Sequence, residues 1–151
     1  MTHQLSRYQT ALAIALMALA FILQDALWIG LMSPLLYRPA LGTVLTAQPD
    51  WLAALLFYLV YLGGLAHFAV LPALQQNRLE LAWRQALWLA MAAYGTYDLT
   101  NQATVRGWPW HVTLIDLAWS AWVSCSAATL GAWIGLRRIR APLRAPTQNL
   151  F

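Results

Sequence analysis

Asp25, Asp98 and Asp116 lie inside stretches otherwise apolar enough to cross a membrane. On the insertion scale a carboxylate at a helix centre costs roughly 2.5 to 3.5 kcal/mol, so three of them in one short chain need a common reason. Buried acids of this kind hold a proton, pair with a cation or orient a small polar ligand. They do so at lowest cost together, surrounded by water and hydrogen-bond donors. The expectation is one polar site shared by several helices.

The neighbours of these acids agree with that expectation. Tyr94, Asp98 and Asn101 follow the i, i+4, i+7 pattern and share one helix face. Thr113, Asp116, Ser120 and Ser124 form a second polar stripe, which runs on into Ala127 and Gly131, small residues of the kind that let membrane helices approach closely. Gln24 and Trp28 flank Asp25, and Tyr97 and His111 are placed to complete the wall. The candidate ligand-binding set is therefore Asp25, Asp98, Asp116, Asn101, Tyr94, Tyr97, Thr113 and Trp28. The competing expectation is structural: the acids bond to hydroxyls and amides across helices and hold the bundle together, at about 0.6 kcal/mol for each bond. His67 falls toward the opposite half of its helix and stays outside the set.

Catalytic patterns are missing. The sequence has no Gly-rich phosphate loop, no His-x-x-Glu-His, no cysteine pair and no cluster of histidines, so no metal site and no cofactor is indicated. Ser120, Ser124 and Asp116 are nucleophile types without an evident activating base. Cys125, the single cysteine, has no partner for an intrachain disulfide and sits between Ser124 and Ser126 as a packed thiol.

The elements that must position these residues are helices in lipid. Of 151 residues, 61% are hydrophobic and 9% charged, against about 25% charged in ordinary soluble domains. Apolar windows reach the roughly 20 residues a helix needs to span a bilayer. The pattern predicts an all-α integral membrane bundle of four transmembrane helices, at about 11–32, 51–74, 78–99 and 109–136, in a single membrane domain covering 1–151. Asp50 is the expected N-cap of the second helix, and Asn77 with Glu80 resembles a capping box for the third. Between the first and second helices, Pro34, Pro39, Gly42 and Pro49 break the chain, while Leu36, Tyr37, Leu41, Val44 and Leu45 recur at nearly helical spacing. This segment is either a short interfacial helix after Pro39 or a plain loop. A polar loop is expected from Thr100 to Gly107.

Orientation follows from the arginines, which supply all nine basic residues. Arg7, Arg78, Arg84 and the four in the basic tail 137–151 fall on one side, and Arg38 and Arg106 on the other, which places both termini in the cytoplasm. The tail is expected to lie against anionic headgroups, so membrane lipids are the first partner. The net charge of +4 forms no broad patch interleaved with exposed aromatics, which excludes nucleic acid. Asp25 with Trp28 and Asp116 with Trp119 share an Asp-x-x-Trp spacing on helices of opposite direction, so the spacing is no sign of duplication.

The run Tyr94-Gly-Thr-Tyr-Asp98-Leu-Thr-Asn101, with Asp25-Ala-Leu-Trp28 before it, Phe68-Ala-Val-Leu-Pro72-Ala-Leu between and Asp116-Leu-Ala-Trp119 after it, resembles a bacterial family catalogued as domain of unknown function 2177. The resemblance extends from the first helix to the fourth. It implies a small multi-pass membrane protein of bacteria and carries no activity over to any residue. The expected function is a polar pocket on the outer side of the inner membrane that binds, and passes, a proton, a cation or a small polar molecule. Passage through so thin a bundle calls for a homodimer, with Gly63 and Gly64 allowing close contact. The rival expectations are a membrane enzyme acting on a lipid headgroup or isoprenoid, and an accessory subunit held to a membrane partner.

Overall fold

Four long helices follow one another in the computed structural model, which describes residues 7–46 and 48–140: α1 (Arg7–Leu41), α2 (Trp51–Gln75), α3 (Leu79–Thr104) and α4 (Trp110–Arg140). No strand occurs among the described residues. α1, α2 and the stretch Trp110–Arg137 of α4 are each long and apolar enough to cross a membrane. α3 has 26 residues, about 39 Å at the helical rise, with its polar residues at the two ends: Glu80, Arg84 and Gln85 at one, Asp98, Asn101 and Gln102 at the other. The basic tail beyond Arg140 lies outside the described residues.

The core forms where small residues let helices meet. α1 buries Ala13, Met17, Phe21 and Asp25, one residue every four, so Asp25 occupies the place where an apolar side chain would continue the stripe. α3 buries Ala82, Ala86 and Ala90 with the same period. α4 presents Ala127, Ala128, Gly131 and Ala132. A Cβ on Gly131 would stand 2.6 Å from Ala13 O and from Met17 Cβ, so α1 and α4 touch backbone to backbone as the small-residue stripe predicts. Large apolar side chains such as Leu27, Leu59, Val60, Trp88 and Trp122 face outward, which suits lipid as the solvent.

Two wide turns shape the bundle, and both precede a proline. In α1 the segment Ser33–Tyr37 is π-helical, with the Arg38 N–H reaching Ser33 O, and Pro39 follows. In α2 the segment Ala66–Val70 is π-helical, with the Leu71 N–H reaching Ala66 O, and Pro72 follows. Proline has no N–H and its ring crowds the carbonyl four residues back, and one extra residue in the preceding turn relieves that conflict without ending the helix. The segment after Met32 is therefore neither a separate interfacial helix nor a plain loop. Helix α1 continues to Leu41 and then passes into the 3-10 turn Gly42–Val44.

Asp50 caps α2 as expected, its Oδ1 accepting from Leu52 N at 2.9 Å and from Ala53 N at 3.1 Å. Asn77 does something different from the capping box. It adopts φ 53, and the bonds Asn77 N to Leu74 O (3.3 Å) and Arg78 N to Ala73 O (3.0 Å) make a Schellman closure of α2. The N-cap of α3 is Arg78, which contributes no side-chain cap bond and pairs instead with Glu80. At its far end α3 runs past residue 99 to Thr104, absorbing more than half of the expected polar loop. There Thr104 Oγ1 bonds back to Thr100 O at 2.7 Å, and Gln102 is anchored across the turn to Trp108 O at 2.9 Å.

Candidate functional site

Asp25 is 5% exposed, and donors from two other helices reach it. The Tyr58 hydroxyl of α2 donates to its Oδ2 at 2.6 Å, and Trp119 Nε1 of α4 donates to its Oδ1 at 3.4 Å. One turn further along α1, Trp28 Nε1 donates to the Tyr37 hydroxyl at 3.0 Å, and Tyr37 in turn donates to Asp116 Oδ1. The π-turn puts Tyr37 there, since it comes at the last position of the widened segment Ser33–Tyr37.

Contacts such as Gln24 with Ser126, Asp25 with Trp119 and Tyr37 with Asp116 rise along α1 as they fall along α4, so these helices are antiparallel. With Asp-x-x-Trp on each, the Trp of one helix reaches the level of the other's Asp. Trp28 and Trp119 meet between them, their ring centroids 4.2 Å apart and their planes 4° from parallel. The shared spacing is a reciprocal clasp. Below it the Gln24 side chain accepts from Ser126 Oγ at 2.9 Å, and the Tyr61 hydroxyl pairs with Ser124 Oγ at 2.8 Å, so the polar stripe of α4 is bonded across the bundle.

Asp98 is placed otherwise. It is fully buried and neither of its carboxyl oxygens has a hydrogen-bond partner. It sits one turn beyond Gly95, whose missing Cβ faces Leu117 Cδ2 at 3.8 Å, so this face of α3 is turned to α4. Asp116 is close enough for the two charges to act on each other. Asn101, one turn on, lies by Tyr97, and its Nδ2 makes no hydrogen bond of normal geometry.

The remaining candidates divide. Thr113 is fully buried but ties the turn between α3 and α4, accepting from Trp108 Nε1 at 3.1 Å and donating to Gln102 Oε1 at 3.2 Å. Tyr94 stands edge-on to Tyr61 at 5.5 Å. Tyr97 is 59% exposed with its ring against Trp108, and His111 is exposed, so neither closes the wall around the carboxylates. His67 is exposed and packs edge-on to Phe68. Three partners escaped the candidate set: Tyr37, Tyr58 and Trp119. Trp119 carried a signal in the repeated Asp-x-x-Trp, whereas Tyr37 stood in a proline-rich stretch with nothing to show that it reaches back into the bundle.

No cation answers these acids among the described residues, where the single ion pair is Arg78 with Glu80. Nor is any group of three His, Cys, Asp or Glu among them arranged to hold a metal. The site is thus a row of carboxylates, two supplied with neutral donors and one with none. Beside it a groove of about 570 Å³ opens between α2 and α3, lined by Leu56, Phe57, Val60, Tyr61, Ala93, Tyr94 and Tyr97.

Residues 10–133 match the family described as predicted membrane protein (DUF2177), and the chain belongs to that family. No curated protein and no solved structure matches the chain.

Proposed function

We propose that this multi-pass protein of the bacterial inner membrane binds, and passes, a proton, a cation or a small polar molecule at Asp25, Asp98 and Asp116. One observation carries the reading: three acids lie between membrane helices and, among the described residues, no basic side chain pairs with any of them. A buried charge without a partner is unstable, so such a row gains most from a positive ligand. Tyr37, Tyr58, Trp28 and Trp119 fix Asp25 and Asp116 in place, while Asp98 keeps its capacity to bind. Asn101 and Tyr94 stand beside Asp98 on the same helix face. Both termini face the cytoplasm in this reading, because Arg78, Arg84 and Arg137 gather at one end and Arg38 and Arg106 at the other.

The test is ligand-dependent stability, since anything that binds the folded state alone raises its melting temperature. Full-length protein in detergent is titrated with protons, sodium, calcium and a small organic ammonium ion. At least one of them raises the Tm of the wild type and leaves that of Asp98→Asn unmoved. A wild type indifferent to all four overturns the reading.

A second reading, an enzyme acting on a lipid headgroup or isoprenoid, draws on the apolar groove between α2 and α3, which would take a hydrocarbon chain beside Tyr94. Lipid analysis of a deletion strain separates the two, because only the enzyme leaves an altered lipid profile.

A further inference from the structure

The grouping of acids conceals a difference between them. Asp25 and Asp116 accept hydrogen bonds from Tyr58, Trp119 and Tyr37, as anions do when the protein supplies donors. Asp98 has no donor on either oxygen, and both oxygens are closed to any sphere the size of water. A hydrated metal ion, an ammonium group or a water molecule needs contact with those oxygens and finds no surface to touch. What fits without moving a single neighbour is a hydrogen nucleus. An anion left there would have neither solvent nor partner, the arrangement that folded proteins avoid most strongly.

We propose that Asp98 is a proton-binding group, carried through the membrane fold as the neutral acid, and that the proton is the ligand of this site. The inference rests on the reading of the carboxylates as a cation site and names its cargo. Uptake forms one O–H bond on Oδ1 or Oδ2 and cancels one negative charge. Release breaks that bond and, since no acceptor lies within hydrogen-bonding distance of Asp98, follows a shift of α3 against α4 that brings it to Asp116, the carboxylate that acts on it from α4. Asp116 is only half-buried, so unlike Asp98 it has surface that a proton acceptor could touch. The titratable groups facing Asp98 are this Asp116 and, from its own helix, Tyr97. A Cβ on Gly95 would stand 3.8 Å from Leu117 Cδ2, so α3 lies close against α4 one turn before Asp98.

Infrared spectroscopy of the full chain in lipid nanodiscs tests this directly. At neutral pH the wild type shows the carbonyl stretch of a protonated carboxyl, at the high-frequency end because nothing bonds to it. That band is lost in Asp98→Asn and kept in Asp25→Asn and Asp116→Asn. Asp98→Glu, which displaces the acid without deleting it, shifts the band, so the result stands even where the Asn variant does not fold. Absence of the band from the wild type, or its persistence unshifted in both Asp98 variants, overturns the proposal. Stabilisation by sodium or by the ammonium ion, together with an absent band, overturns the proton as cargo while leaving a cation site at the other two acids.

Discussion

Trp28 and Trp119 stack at 4.2 Å, each three residues beyond an aspartate on its own helix and each directed to the aspartate of the other. Trp119 reaches Asp25 directly, and Trp28 reaches Asp116 through the Tyr37 hydroxyl. The stack therefore joins buried Asp25 to half-buried Asp116, two carboxylates that share no atom, and it locks the register of α1 against α4. Stacked aromatic pairs contribute about 0.5 to 1.5 kcal/mol beyond their buried area. A double-mutant cycle of Trp28→Ala and Trp119→Ala, read by equilibrium unfolding in mixed micelles, is expected to show coupling of about 1 kcal/mol. Strict additivity would mean that the rings only fill space.

Removing the tyrosine donors tests whether the two acids depend on them. Tyr58→Phe leaves buried Asp25, and Tyr37→Phe half-buried Asp116, one hydrogen bond short, a loss of about 1 to 3 kcal/mol in each case. Unfolding of the two variants measures it, and wild-type stability in both would show that the acids find other donors.

Asp98→Asn should behave in the opposite way. Since its oxygens make no hydrogen bond, the substitution is expected to cost less than Asp25→Asn, which breaks the geometry accepted from Tyr58 and Trp119. The same unfolding assay ranks them, and a larger loss at Asp98 would point to a structural partner.

The glycines give a contrast in packing. Gly131→Ala drives a methyl into Ala13 O and Met17 Cβ and is expected to destabilise by about 1 to 3 kcal/mol. Gly63→Ala meets nothing within 4 Å and lies inside a helix, so it should be neutral or stabilising by about 0.5 to 1 kcal/mol. A destabilising Gly63→Ala would reveal a second copy of the chain packed on that face, which size measurement in native nanodiscs would confirm.

Asn77 offers a backbone test. At φ 53 it tolerates glycine, whereas Asn77→Ala is expected to cost about 1 kcal/mol by melting. Equal stability of the two would argue against the left-handed cap.

Much of this was legible in the residues. Apolar length announces spanning helices, Asp50 after Pro49 announces a cap, and the run from Ala127 to Gly131 announces a close helix contact. All three are local patterns, read from one segment at a time. The clasp is not local: whether Trp119 serves Asp116 or Asp25 depends on the antiparallel register of α1 and α4, which no single segment contains. Tyr37 was hidden for another reason. Its reach to Asp116 depends on one extra residue in the turn before Pro39, and in sequence that proline reads as a break. Asn77 illustrates competition between two rules, since the same residue type starts one helix and ends another, and here the closure of α2 prevailed. Asp98 was legible as an expensive residue, but its isolation from every donor appears only when the helices are packed.

The most direct measurement is ion flux into liposomes holding the full chain, with proton-sensitive and sodium-sensitive dyes inside and the single variants Asp25→Asn, Asp98→Asn and Asp116→Asn alongside. A carboxylate site of this kind predicts proton entry in the wild type, its loss in Asp98→Asn and its weakening in the other two. Equal flux in all four proteins, or no proton movement in the wild type, would contradict it.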